Sequence, residues 1–108
     1  QIMAEAIKLR VTWQGDLAEI RILMPHPMET GQRKDPESGK PLSAHFIESF
    51  SVTANGQELV RGQLNTAIAR NPLFSFYARG VKAGDRLAVL WSDNKGEKRS
   101  DQFILPAA

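Results

Sequence analysis

The sequence contains no cysteine among its 108 residues, and this absence excludes more chemistry than any other feature of the composition. Without a thiol, the chain forms no disulfide, offers no thiolate to a metal ion and has no cysteine nucleophile. Covalent attachment of sulfur to a side chain of this protein is excluded for the same reason. The absence does not identify the cellular compartment.

Long apolar runs and a strong charge imbalance are also missing. No run approaches the roughly 20 apolar residues of a membrane helix, and no segment has the order of a signal peptide. The 14 basic and 12 acidic residues are interleaved and give a formal charge of only +2, whereas nucleic-acid binding calls for a basic stripe. We therefore expect neither a nucleic acid nor a membrane as partner.

The length of the chain fits one domain with its own core. Gln1 and Ile2 precede Met3 in the manner of a cloning remnant. We therefore expect a tag remnant and a flexible N-terminus over residues 1–5, followed by a single domain over residues 6–108.

Alternation of apolar and polar residues predicts β-strands along most of the chain. The first two predicted strands, from Ala6 to Trp13 and around Ile20, form a hairpin, and the second ends before Pro25. Asn55-Gly56 predicts a type I′ hairpin, because both residues tolerate a positive φ. Turn signals recur often enough to give about seven short strands and no long helix, which indicates an all-β antiparallel sandwich.

Three finer predictions accompany this fold. A strand starting near Ala44 is interrupted by Glu48, which marks a bulge or an edge. Residues Thr66 to Arg70 can form one helical turn, stopped by Asn71-Pro72. The bulk of the core is expected from large side chains on the apolar strand faces. These are Trp13, Phe46, Phe50, Phe74, Phe76, Val89 and Trp91.

Met24, His26 and Met28 occupy alternate positions in a segment that contains two prolines. Thioether and imidazole groups suit copper, and alternate residues of an extended chain share a face, so a copper site that also uses His45 is one interpretation. The prolines favour polyproline II, which would spread these side chains around the axis. We therefore prefer a partner surface or a strand terminator, with no metal or other cofactor bound.

The polar stretch from Gln32 to Lys40 is either a solvated loop or a docking element. Arg33 and Lys34 would give it a recognition edge for an acidic partner. The preceding Glu29-Thr30-Gly31 reads as a turn whose glycine permits close approach of backbone, its own or a partner's. The sequence offers no nucleophile with an adjacent base and no phosphate-binding loop, so we do not expect an enzyme.

Several strings of residues resemble one protein family. They are HPMETGQRKD at 26–35, SGKPLSAHFI at 38–47, NP at 71–72 and SDNKG at 92–96. In this order, and with the predicted strands around them, they resemble the SoxZ family. The similarity runs from about Ala6 to Phe103, and the first string is its most specific part.

The resemblance implies an immunoglobulin-like sandwich that pairs with SoxY, whose flexible C-terminal arm carries the cysteine for sulfur intermediates of thiosulfate oxidation. It implies a non-catalytic, periplasmic subunit exported with its partner, and transient contacts with the Sox enzymes that load, oxidise and hydrolyse the bound sulfur. The residues expected to contact the partner or its arm are His26, Met28, Glu29, Thr30, Gly31, Arg33 and Lys34. The alternative is a periplasmic copper-binding sandwich using Met24, His26, Met28 and His45.

Overall fold

A computed structural model describes residues 4–107 of the chain. It contains seven β-strands: β1 (Lys8–Gln14), β2 (Leu17–Leu23), β3 (Ile47–Ala54), β4 (Gln57–Gln63), β5 (Leu73–Arg79), β6 (Arg86–Asp93) and β7 (Lys98–Ile104). Residues 1–3, within the predicted tag remnant, lie outside the described part. Ala4 lies inside it, and its carbonyl oxygen accepts a hydrogen bond from Arg99 at 3.2 Å.

The strands form two antiparallel sheets, with orders β1-β2-β5 and β4-β3-β6-β7. The predicted all-β sandwich is thereby confirmed. Within residues 4–107 no helix is long and apolar enough to cross a membrane. The predicted helical turn after β4 is wrong: Ile68 N–H donates to the carbonyl of Asn65 at 3.2 Å in a single tight turn. The Asn65 side chain stabilises this turn by accepting from Ala67 N–H at 2.8 Å, an alternative to helical pairing.

The core lies between the inner faces of the two sheets, where the alternating side chains of each strand meet. Phe50, Val89 and Trp91 are buried as predicted. The other four predicted core residues, Trp13, Phe46, Phe74 and Phe76, are only partly buried. Most of these lie on β1 and β5, the outer strands of the three-stranded sheet, which have a neighbouring strand on one side only. The centre is instead filled by aliphatic side chains of β2, β3 and β6.

Local backbone chemistry agrees with the sequence at two places. Asn55 and Gly56 have φ of 50° and 85° and join β3 to β4 as a two-residue hairpin turn. The ladder between β3 and β6 shifts register between Ile47 and Ser49, so Glu48 lies in a bulge, as predicted. Because of this extra residue, Ile47 and Phe50 both face the core although they are three positions apart.

Gly62 on β4 is required by the packing of the Phe50 ring. A Cβ atom built at Gly62 would lie 2.5 Å from Cε1 and 2.7 Å from Cζ of that ring. Phe50 cannot retreat freely because its ring contacts Phe74, with ring centroids 4.4 Å apart. We expect Gly62→Ala to lower the free energy of unfolding by about 1–3 kcal/mol, measured by urea denaturation.

The matched control for this variant is Gln63→Ala, the next residue on β4, whose side chain is exposed. It should change the free energy of unfolding by less than about 0.5 kcal/mol. Equal effects of the two substitutions would show that the Phe50 ring does not depend on the missing Cβ.

Candidate functional site

Three of the strings that carry the family resemblance meet at one place. His26 follows β2, His45 precedes β3, and Asp93 ends β6. Glu29 and His45 exchange both backbone hydrogen bonds, at 2.6 and 3.0 Å, as an isolated antiparallel bridge. This bridge fixes the segment after β2 against the segment that enters β3.

The backbone N–H groups of the proline-containing segment bond the residues before β5, one through a carbonyl and one through a side chain. Met24 N–H donates to the carbonyl of Pro72 at 2.9 Å, and His26 N–H donates to Oδ1 of Asn71 at 3.0 Å. Pro25 and Pro27 alternate with these donors, so their missing N–H groups cost no pairing. The segment therefore continues in a strand-like form.

Met24, His26 and Met28 are all buried, with 0%, 4% and 5% of their surface exposed. The expectation that the prolines spread these side chains around the axis is therefore wrong. The N–H groups of Met24 and His26 bond the residues before β5, and Met28, with a φ of 52°, turns so that its N–H meets Nδ1 of His26.

Asp93 is the centre of the cluster. Its Oδ2 accepts hydrogen bonds from Nε2 of His26 at 3.0 Å and from Nε2 of His45 at 2.7 Å. Its Oδ1 accepts from the backbone N–H groups of Lys95 and Glu97 at 3.0 and 2.8 Å. The carboxylate is fully buried, and four donors compensate its burial.

The protonation of the cluster follows from its donors. Met28 N–H donates to Nδ1 of His26 at 3.1 Å, so that nitrogen carries no proton and Nε2 carries the one donated to Asp93. Burial lowers the pKa of His26 below its usual value, and the nearby His45 adds to this, against the opposing hydrogen bond to Asp93. Burial alone would raise the pKa of Asp93, but the hydrogen bonds from His26, Glu97, His45 and Lys95 lower it. His26 is thus held neutral beside an ionised Asp93.

His45 connects this buried centre with the surface. Its side chain is 19% exposed, and its Nε2 lies 3.8 Å from Oε1 of Glu97 as well as bonding Asp93. It lines an open cavity of about 420 Å³ together with Pro25, Pro27 and Arg70. Its Nδ1 has no hydrogen-bond partner among the described residues. Asp93 therefore orients an imidazole whose second nitrogen can bond a group entering the cavity.

The donor set resembles that of a cation site, since ligand atoms of His26, His45 and Asp93 lie within 4.8 Å of one another. A metal-bound histidine normally donates its other ring N–H to an acceptor. A metal on Nε2 of His26 would place the proton on Nδ1, where Met28 N–H already points. The cluster is thus satisfied as a hydrogen-bond network and poorly suited to a metal.

The thioethers proposed as copper ligands are engaged elsewhere. Met24 is fully buried within the hydrophobic core, and the sulfur of Met28 accepts a hydrogen bond from Ile47 N–H at 3.3 Å. Of the four residues in the copper interpretation, the structure brings together the imidazoles of His26 and His45, with ring centroids 4.4 Å apart. This geometry favours the hydrogen-bond network over a copper site.

The residues predicted to contact a partner fall into two groups. His26 and Met28 are buried, so any effect on a partner passes through the position of the segment. Thr30, Arg33 and Lys34 are exposed. Arg33 donates two hydrogen bonds to the Glu29 carboxylate, at 2.9 and 2.7 Å, and these lower the pKa of Glu29.

The close approach expected at Gly31 is made by the chain itself. Its φ is 89°, and a Cβ there would lie 3.4 Å from Cβ of Ala44. Beyond it, Leu42 N–H donates to the carbonyl of Arg33, and Asp35 N–H donates to that of Lys40, both at 2.8 Å. The polar stretch is therefore folded back on itself and fixed by backbone bonds.

Asp93 was missed by the sequence-based site prediction, although a signal for it exists. Leu87, Val89 and Trp91 alternate on the inner face of β6, and Asp93 is the next residue in that series. An acidic residue in phase with a buried strand face requires compensating donors. The turn chemistry of the following Asn94-Lys95-Gly96 masked this signal.

The chain matches the protein family described as "Sulphur oxidation protein SoxZ" over residues 7–103. A comparison with curated protein sequences gives no match. Among solved structures, the chain is similar to hypothetical protein PH1083 from Pyrococcus horikoshii OT3, with a TM-score of 0.62 and 18% identity over 94% of this chain and 88% of that one. At this identity the likeness concerns the fold alone. The family match covers nearly the whole chain and includes all three residues of the buried cluster, and the chain therefore belongs to the SoxZ family of sulfur oxidation proteins.

Proposed function

We propose that this chain is the non-catalytic subunit of a two-chain sulfur carrier. It binds and stabilises SoxY and helps present the cysteine-bound intermediates of that partner to the Sox enzymes of thiosulfate oxidation. The observation that carries the proposal is the family match over residues 7–103, which links the chain to the Sox sulfur oxidation system. The sequence adds that these 108 residues contain no thiol, so a sulfur atom held by an S–S bond belongs on another chain.

The ordered segment after β2 supports a presenting role. The buried Asp93 network and the Glu29–His45 bridge fix its base, while Thr30, Arg33 and Lys34 reach solvent. A surface fixed before binding loses little conformational entropy when a partner docks. In this proposal His26 and Met28 position the surface, and the exposed members of the segment make the contacts.

The same proposal places the protein in the periplasm, exported with its partner, and requires no cofactor in this chain. Its contacts with the enzymes that load, oxidise and hydrolyse the bound sulfur are transient. Transient contacts of this kind need small interfaces, and charged residues such as Lys34 influence mainly their association rates.

Mixing the purified chain with a SoxY-type protein should give a 1:1 complex. Size-exclusion chromatography with light scattering measures the mass of each species, and the complex should have the summed mass of the two chains. Alone, the chain should self-associate or be of marginal stability, because edge strands and an uncovered sheet face favour association. A well-behaved monomer that ignores the partner would refute the proposal.

The control for this experiment is a SoxY-type protein lacking its C-terminal arm. If the two domains pair through their folded surfaces, the truncated partner still forms the 1:1 complex. If the arm supplies the main contact, the complex disappears. The comparison thus separates domain pairing from arm capture.

A further inference from the structure

The outward face of the four-stranded sheet has an unusual composition for a surface. In the middle of its two central strands, β3 and β6, the side chains that point outward are uncharged, whereas Arg86 at the start of β6 points outward at the border. The uncharged side chains are Ser49, Ser51, Thr53, Ala88, Leu90 and Ser92. Leu90 lies in the middle of this set and is 43% exposed. We call this surface the serine face.

The outward face of the other sheet differs in having charges at its centre, although it also exposes Leu73 and Tyr77 on its outer strand β5. Its central strand β2 directs Glu19 and Arg21 outward, joined by a 3.4 Å ion pair. Charged residues are present on all three of its strands: Lys8, Arg10, Glu19, Arg21 and Arg79. A sheet face in water is typically polar, with charges among its residues. The serine face lacks charges at its centre, as interfaces do.

The centre of the serine face has one protruding apolar side chain, Leu90, with small side chains around it. Leu90 is paired with Ser51 on one side and with Ser100 on the other, so it rises between two small side chains. The hydroxyls of Ser49 and Ser92 bond each other at 3.0 Å and therefore depend less on water. A depression of about 370 Å³ lies beside Leu90 and is lined by Ser51 and Arg61 among others.

The charges of the serine face lie at its border and are mainly positive. Arg61 on β4 is paired with Glu58 at 2.8 Å. Arg86 at the start of β6 and Lys98 at the start of β7 are exposed. Within residues 4–107 neither makes an ion pair. A second copy of this chain would bring like charges to the border, whereas a partner with carboxylates there would be attracted.

We propose that the serine face is the surface on which the partner chain of the carrier complex docks. The occupant is a second β-sheet whose facing residues are small or apolar at the centre and acidic at the border. Sheets pack face to face at about 10 Å, with side chains interdigitating. This inference rests on the proposed function, since the partner is the SoxY-type protein of that complex.

The size of the serine face agrees with such an occupant. Four strands spaced by about 4.8 Å, with seven or eight residues rising about 3.3 Å each, give a projected area on the order of 500 Å². The accessible area exceeds the projected area because side chains stand out from the sheet, and stable complexes bury roughly 800 Å² per partner. Ile104, 60% exposed at the end of β7, extends the apolar part of the face.

The test is the affinity of Leu90→Glu for the full SoxY-type partner, measured by isothermal titration or surface plasmon resonance. A carboxylate at the centre of a buried interface has no compensating donor, so we expect the dissociation constant to rise by roughly 100-fold or more. The matched control is Tyr77→Glu, which places the same charge at a 58% exposed position of the other sheet. It should bind within about threefold of the unsubstituted chain.

The border charges have a separate signature. Arg86→Glu with Lys98→Glu should slow association with the partner about tenfold at low salt, and the difference should shrink as salt is added.

A second central variant covers the case in which Leu90→Glu lowers the melting temperature as well as the affinity. Ser51→Arg, at the position paired with Leu90, should lose binding to the same extent.

The outcomes distinguish this inference from the function on which it rests. If the unsubstituted chain does not bind the partner, both are wrong. If it binds and Leu90→Glu and Ser51→Arg bind equally well, the pairing stands and the serine face is not the interface. Loss of binding in Tyr77→Glu alone would move the interface to the other sheet. Loss of self-association in Leu90→Glu without loss of partner binding would make the serine face a contact between copies of this chain.

Discussion

Asp93→Ala should lower the free energy of unfolding by about 3–5 kcal/mol, the range observed when one member of a buried charged pair is removed. The substitution deletes the acceptor of four hydrogen bonds at a fully buried position. His26 would keep a buried Nε2–H without a partner. In a domain of this size, the melting temperature should fall by roughly 15 °C or more, measured by calorimetry or circular dichroism.

Two controls show whether the effect belongs to the network. Asp16→Ala removes an exposed aspartate from the turn between β1 and β2 and should change the melting temperature little. Asp93→Asn keeps the volume of the side chain and one acceptor oxygen. Its amide group would either meet the two imidazole donors or displace the backbone donors, so this variant should also be strongly destabilised. A loss in Asp93→Asn no larger than in Asp16→Ala would contradict the assigned hydrogen bonds.

The strands could be predicted from the sequence because their signal is local. Alternation fixes which face of each strand is buried. Asn55-Gly56 predicts a two-residue hairpin turn, because both residues tolerate the positive φ that this turn requires. The Glu48 bulge was visible for the same reason, since it breaks the alternation. The order of the strands in two sheets depends on contacts between distant residues, and no local pattern encodes it.

The core prediction overvalued aromatic residues because residue size was used without strand position. Phe74 and Phe76 follow the correct alternation, but β5 is an outer strand of the three-stranded sheet, and both rings are only partly buried. Ile20 and Ile22 on the central strand β2 are fully buried. Burial therefore follows the place of a strand in its sheet, which the sequence does not specify.

The site shows where sequence patterns stop being informative. The sequence drew attention to His26 but did not reveal its bond to Asp93, because spacing gives the face of a side chain and not the identity of its hydrogen-bond partners. His45 lies at the far end of a long polar segment, and only the Glu29–His45 bridge brings it to His26. Asp93 joins them from a third part of the chain. A cluster built from three distant segments becomes visible only in the folded molecule.

Acid should destabilise the protein, and the first loss of stability should come in the pH range where His26 becomes protonated. The lowered pKa of His26 means that, between its folded value and its usual value of 6.5, the unfolded chain binds more protons than the folded one. The stabilising contribution is complete above pH 6.5 and is lost as the pH falls toward the folded pKa. Asp93 has a pKa lowered from 3.8, so its contribution is lost only when the pH falls below that value. The melting temperature should therefore begin to decline as the pH falls below 6.5 and decline further as the carboxylates with lowered pKa values become protonated.

The first decline can be assigned to its residue. In the intact protein, the Cε1–H resonance of His26, followed by NMR as the pH is lowered, should titrate below 6.5. His26→Gln, which has no titratable proton, should flatten the dependence of the melting temperature on pH between 6.5 and 4.5, above the usual range of the carboxylates. A steep decline that persists in His26→Gln, or a His26 resonance that titrates above 6.5, would show that burial does not hold the ring in its neutral form.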